Sequence, residues 1–258
     1  SRMFSRLRYE YEEQQGLSYA RNHGISCAAG NIILFTDDDV CPEPDWLEVI
    51  VAGMSRYDCD ACGGYIAPDW EKPPPAWLTE LFYGFLAVKI KDNGVYQIRE
   101  QSDAPFGANM AFRKSVFERL GHFDITRGRK GVVLSSGEDW EMFERLLKAD
   151  MKILYLPDAR VSHRIEASRV TKRYFRRWRY QTSYNIAQTR VMPGERKIMG
   201  IPLYIFKQFI RSVRNAVVSK YTQPQDEAFR QEMIVFHFLG IMRGLYHIRK
   251  PVQPAKKD

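Results

Sequence analysis

The spacing of apolar positions changes along this chain. Asn31-Ile-Ile-Leu-Phe-Thr36 is a short apolar run rich in β-formers. It predicts a strand buried on both faces, as strands of parallel sheets are. Ahead of it, Leu17 to Ala29 predicts a helix that Gly30 ends in a left-handed conformation. After the turn residues Pro42 and Pro44, Asp45 to Met54 predicts a second helix, and Asp60 to Ile66 another strand. Lys72-Pro-Pro-Pro75 is a stiff connection. Gln97 to Gln101 predicts a strand, Gly107 to Arg113 a loop entering a strand, and Ser115 to Leu120 a short helix closed by Gly121. From Asp139 to Lys148 the residues Trp140, Phe143 and Leu147 share one helical face. Lys152 to Leu156 predicts a strand stopped by Pro157, and Ala159 to His163 a further strand.

Strands and helices thus alternate up to about residue 165, the pattern of an α/β sandwich. From Ser168 onward the pattern is helical, basic and aromatic, with helices expected over Leu203 to Val218 and Phe229 to Ile248. Two parts follow: an α/β domain over 1–165 and a helical extension over 166–258.

Composition narrows the class. Hydrophobic residues make up 45% of 258 residues and charged residues 27%, which fits a folded core rather than a disordered chain. Ser1 to Gln15 is polar, and the apolar stretch Ile198 to Ile210 is broken by Gly200, Pro202, Lys207 and Gln208. Neither a secretory leader nor a spanning helix is expected. The four cysteines, Cys27, Cys41, Cys59 and Cys62, form no disulfide framework, so a reducing compartment is expected. The net charge of +8 gathers after residue 160, which favours anionic partners: phosphates, acidic lipids or nucleic acid.

Several residues carry candidate chemistry. Asp37, Asp38 and Asp39 end a predicted strand, where open α/β sheets bind ligands. Asp37 and Asp39 can share a hard divalent ion, or the three can form a solvated capping turn. Glu138 and Asp139 start a helix after Gly137. A carboxylate there can take a proton from an alcohol, or simply cap the helix. His163 ends a strand as a metal ligand or a packed imidazole. Gly107-Ala-Asn-Met-Ala-Phe112 and Gly121-His-Phe-Asp124 are small-residue turns that admit a substrate or a tight backbone.

The order of these pieces is similar to that of a known family. Gly16-Leu-Ser-Tyr-Ala-Arg-Asn22, Ala29-Gly30 and Ile33-Leu-Phe-Thr-Asp-Asp-Asp39 resemble the donor half of family-2 glycosyltransferases. Gly107 to Arg113 with Gly121 to Asp124 resembles the family's acceptor-side segment. Gly137-Glu-Asp-Trp140, Arg145-Leu146, Tyr155-Leu-Pro157 and Val161-Ser-His163 resemble the stretch through its catalytic base.

The resemblance covers residues 16–165 and implies a GT-A fold: a Rossmann-type mixed sheet flanked by helices, here with a C-terminal helical extension. It implies an inverting metal-dependent transfer of a sugar from a nucleotide-diphosphate donor to an acceptor hydroxyl. Asp139 then matches the general base, with Glu138 beside it. Arg21, Asn22, Asp37, Asp38 and Asp39 match the donor site, and Asp37, Asp39 and His163 the ligands of Mn²⁺ or Mg²⁺. Gly107, Ala108, Asn109 and Trp140 match the acceptor side. The family's opening β-α-β unit, which helps read the nucleotide base, has no counterpart in the segment ahead of Gly16. The expected setting is surface polysaccharide or glycolipid synthesis in a bacterial cytoplasm, acting on a sugar or lipid-linked sugar, with peripheral membrane contact through the basic helices.

Two other functions compete: a catalytically silent binding or scaffold protein on the same fold, and a nucleic-acid binder. The latter is suggested by Arg164, Arg169, Lys172, Arg173, Arg176, Arg177 and Arg179 interleaved with Tyr174, Phe175, Trp178 and Tyr180. The same stretch also reads as a packed helix, a phosphate-binding cover or a membrane-surface contact.

Overall fold

The computed structural model describes residues 7–126, 137–189, 192 and 196–248; residues 1–6 of the polar opening segment lie outside it. The chain divides into two compact units, Ser1–Pro68 with Ala87–His163, and Asp69–Leu86 with Arg164–Asp258.

The first unit is a mixed sheet flanked by helices. Its elements run α1 (Leu17–Cys27), β1 (Ile32–Phe35), β2 (Val40–Pro42), α2 (Trp46–Tyr57), β3 (Ala61–Trp70), β4 (Tyr96–Ile98), β5 (Met110–Arg113), α3 (Lys114–Leu120), α4 (Glu138–Lys148) and β6 (Ile153–Ile165). The strand order is β1-β5-β3-β6-β2, with β4 also on β6.

Alternation along the strands builds two cores. Met110 and Phe112 of β5, with Ile153 and Tyr155 of β6, face Ile25, Phe117, Phe143 and Leu146 from α1, α3 and α4. Ala111, Leu154 and Leu156 face the other way, onto Trp46, Ile50 and Met54 of α2. Both faces are covered, so successive residues of one strand are all apolar. Phe112 stacks on Phe143 with ring centroids 5.2 Å apart, joining the sheet to α4.

Three local expectations are corrected. β1 pairs antiparallel with β5 (Ile33 opposite Phe112), not parallel. Four apolar residues report burial, but strand direction depends on the partner. α1 ends at Cys27, and its cap is the extended Ala28, whose N–H reaches the Gly24 carbonyl; Gly30 takes no left-handed role. Pro157 does not stop a strand, because β6 runs through it from Ile153 to Ile165. Its missing N–H falls between Tyr155, paired with Tyr96 of β4, and Val161, paired with Pro42 of β2. No hydrogen bond to either strand is lost there.

The second unit holds α5 (Lys172–Thr189), the hairpin β7 (Lys197–Ile198) and β8 (Ile201–Pro202), α6 (Leu203–Thr222) and α7 (Gln225–Ile248). The segment Asp69–Leu86 belongs to it through aromatic packing. Trp77 meets Phe175 at 5.4 Å and Phe229 at 4.8 Å, and Phe85 meets Trp178 at 4.8 Å. Of the aromatic residues of the Arg-rich stretch, Phe175 is fully buried and Tyr174, Trp178 and Tyr180 are half-buried. Arg176 is held bidentate by Glu232, at 2.7 and 3.1 Å. This is the arrangement of a packed helix, not of rings displayed for stacking bases.

α5 and α7 approach closely at Gly240 and Gly244. A Cβ on Gly240 would lie 2.3 Å from the Tyr180 carbonyl oxygen, and one on Gly244 2.6 Å from that of Tyr184. Gly240→Val is expected to force the two helices apart and destabilise this unit by about 3 kcal/mol, read as a lowered denaturant midpoint. An unchanged midpoint would contradict the close approach.

Candidate active site

Asp37, Asp38 and Asp39 form the turn between β1 and β2, closed by the Val40 N–H donating to the Asp37 carbonyl at 3.3 Å. β2 then pairs with β6, placing Val40 opposite His163. This register brings Asp39 to the imidazole: Asp39 Oδ2 lies 3.3 Å from His163 Nε2, and His163 is 3% exposed. Asp38 is exposed at the tip of the turn.

Glu138 and Asp139 open α4, which is amphipathic and buries Met142, Phe143 and Leu146. The helix N-terminus favours their negative charge. Asp139 is oriented by two backbone donors: the Gly107 N–H reaches Oδ2 at 3.0 Å, and the Trp140 N–H reaches Oδ1 at 2.7 Å. Glu138 is buried. Burial pushes its carboxyl above the ordinary value, and Asp139 beside it adds to the rise; Arg21 opposes both.

Arg21 joins the two acidic segments. Projecting from α1 and only 7% exposed, it donates from Nη1 to Glu138 Oε1 at 2.8 Å, and its Nη2 lies 3.7 Å from Asp37 Oδ1. Its guanidinium sits 5.5 Å from the Phe123 ring and 5.9 Å from the Phe35 ring. Gly107 makes room for it: a Cβ there would lie 2.1 Å from Arg21 Nη2. A single cation therefore touches carboxylates from two segments 101 positions apart (138 − 37 = 101).

Other expected site residues serve the frame. Asn22 exchanges two hydrogen bonds with the Phe123 backbone, both 2.9 Å, which ties α1 to the turn Gly121 to Asp124. Arg145 grips the same turn through the carbonyls of Leu120 at 2.6 Å and His122 at 2.8 Å. Asn109 is fully buried. It accepts from Trp46 Nε1 at 3.0 Å and donates to the Tyr65 and Ala159 carbonyls at 3.1 and 2.8 Å. Its amide is a core crosslink, and Ala108 is buried beside it. Of the expected acceptor-side group, Gly107 lies at the Asp139 carboxylate and Trp140 is part-exposed, with its carbonyl accepting from Gln101.

The expected metal set is only partly assembled. Asp39 and His163 are spaced as two ligands of one ion would be; the carboxylate suits Mn²⁺ or Mg²⁺, and the imidazole beside it suits a softer ion than Mg²⁺. Asp37 is drawn toward Arg21 instead. Among the described residues, the one three-member group with ligand atoms within 4.8 Å of one another is Glu10, His23 and Cys27. Glu10 there is already paired with Arg8. Cys59 and Cys62 are buried free thiols in the core.

Sequence reasoning put Arg21 among the donor residues but missed that it bridges Asp37 and Glu138. No spacing signals such a link between residues 117 positions apart.

Residues 2–121 match the family model described as glycosyl transferase family 2. The glucosyl-dolichyl phosphate glucuronosyltransferase of Haloferax volcanii is 30% identical over 156 residues, 60% of this chain and 49% of that protein. The glycosyltransferase GlyA of Streptococcus pneumoniae is 26% identical over 186 residues, 69% of this chain and 25% of that protein. The matched part thus spans from a quarter to about half the length of these relatives. A crystal structure of GalNAc-T7 with UDP, GalNAc and Mn²⁺ overlays with a TM-score of 0.44 at 18% identity, over 87% of this chain and 42% of that one.

Proposed function

We propose that the protein transfers a sugar, with inversion, from a nucleotide-diphosphate donor to an acceptor hydroxyl, a reading supported by the match of residues 2–121 to the glycosyl transferase family 2 model. The observation that supports this reading is Arg21 paired with both Asp37 and Glu138, which brings the two acidic segments together.

In this reading Asp139 is the base. Its carboxylate is oriented by the Gly107 and Trp140 N–H groups, so an acceptor hydroxyl at hydrogen-bond distance can hand over its proton as its oxygen attacks the anomeric carbon. Arg21 balances the charge of Glu138 and Asp37, so that Asp139 is not one of three uncompensated carboxylates. Asp39 and His163 would hold Mn²⁺ or Mg²⁺. When bound, that ion supplies positive charge to the departing diphosphate. Asp38, exposed beside them, faces the solvent from which the donor enters.

A sugar or lipid-linked sugar is the proposed acceptor class, supported by a relative named for a dolichyl phosphate-linked sugar. Among the described residues no helix is long and apolar enough to cross a membrane. The proposed setting is the cytoplasmic face of a membrane, in surface polysaccharide or glycolipid synthesis, with contact through the basic C-terminal helices.

Mn²⁺ together with UDP or GDP is expected to raise the melting temperature by about 5–10 °C at ligand concentrations near a hundred times Kd. Asp39→Ala is expected to abolish that shift. A melting temperature indifferent to metal and nucleotide together would remove the transferase reading in favour of a silent scaffold.

A further inference from the structure

α6 carries an apolar stripe on its outward face. Its buried row is Ile205, Ser212 and Ser219, the two serines 4% and 8% exposed. Its outward row, Ile210, Val213, Val217 and Tyr221, follows steps of three and four residues and so forms one stripe. Ile210 is 67% exposed, Val217 57% and Tyr221 79%. A helix lying between core and water puts its apolar stripe inward. Here Ser212 and Ser219 share the inward positions with Ile205, while a row of aliphatic residues stays on the outward face.

The charges follow the same geometry. Lys207, Arg211 and Arg214 form a row beside the apolar stripe, Lys220 lies beyond its other edge, and α6 contains no acidic residue. Val213, Val217 and Lys220 also wall a groove of about 580 Å³ with Lys172, Phe229 and Phe236. Apolar side chains bordered by cations match the boundary between acyl chains and acidic headgroups. The 20-residue helix is about 30 Å long, enough to lie along that boundary. A nucleic acid would neutralise the cations but leave Ile210, Val217 and Val218 against water.

We propose that the outward face of α6 lies flat on an anionic lipid bilayer, with Ile210, Val213, Val217 and Tyr221 inserted and Lys207, Arg211, Arg214 and Lys220 against the headgroups. This deepens the membrane contact proposed above and does not depend on the transfer chemistry. Vesicle binding can therefore fail while donor binding stands, and the reverse.

The test is co-sedimentation of the full chain with vesicles of phosphatidylcholine, alone or mixed with phosphatidylglycerol. Binding is expected to the mixed vesicles and to be weak on the neutral ones. Arg211→Gln and Arg214→Gln should each weaken it about fivefold, the equivalent of about 1 kcal/mol per basic residue at an anionic surface. Ile210→Ser with Val217→Ser should weaken it at least tenfold without lowering the melting temperature, since both side chains are exposed. Equal binding by these variants, or no binding to anionic vesicles, overturns the proposal. So does loss of a dimer, rather than of vesicle binding, in the Ile210/Val217 variant. Displacement from vesicles by duplex DNA with no effect of the apolar changes would assign the face to nucleic acid instead.

Discussion

Asp139→Asn is expected to lower the rate of sugar transfer by a factor of about 10²–10⁴, the usual contribution of a positioned base. Donor binding should be retained, because Asp39 lies in the turn before β2 and His163 on β6, and neither belongs to α4. The substitution also has a structural cost. Asp139 accepts one backbone N–H on each oxygen. An asparagine has one oxygen, so either the Gly107 or the Trp140 N–H loses its acceptor, at about 1–2 kcal/mol. Two measurements separate these effects: turnover with a saturating donor, and the melting shift caused by Mn²⁺ with nucleotide. Loss of turnover with the shift intact supports the base. Near-normal turnover would remove Asp139 from the chemistry.

Arg21→Met is expected to destabilise the protein by about 3 kcal/mol at neutral pH, because it strands a buried carboxylate. Glu138 has its side chain 5% exposed and has Arg21 as its ion-pair partner. The loss should depend on pH with a definite sign. Burial and Asp139 already hold Glu138 above its ordinary value, and removing Arg21 raises it further. The folded state then binds a proton that the unfolded state has released. Stability is therefore greatest below the ordinary carboxylate range and falls as pH rises toward the raised value. Denaturant titrations of Arg21→Met at several pH values should show the deficit growing with pH. Adding Glu138→Gln should flatten that dependence and recover part of the stability. A deficit independent of pH would mean that the lost contribution is packing against Phe35 and Phe123, not charge.

Much of the frame was legible because it rests on local rules. The start of α4 is marked by Gly137-Glu-Asp, and its buried Phe143 by helical spacing. β5 follows from the run Met110 to Phe112 after small residues. The order of short motifs from Gly16 to His163 pointed to the family that residues 2–121 match. The failures came where a partner decides. β1 could not announce that β5 would run against it, and Pro157 could not announce that it falls between the β4 and β2 pairings of one continuous strand. Asn109 was assigned to the acceptor because it lies in a substrate-side motif, yet its amide is taken by Trp46, Tyr65 and Ala159.

The sequence by itself determined that a carboxylate turn follows an apolar strand, that a second acidic pair starts an amphipathic helix, and that α5 and α6 are cationic. Spacing, capping and charge are properties of a few neighbouring residues, so they can be read before folding. Only the tertiary structure decided that Arg21 spans Asp37 and Glu138, that Asp39 meets His163, and that α6 turns Ile210 and Val217 outward while burying Ser212 and Ser219. Those facts depend on distances between residues far apart in the chain and on which face a neighbouring element covers. Both are set when sheet and helices pack, and no local pattern encodes them.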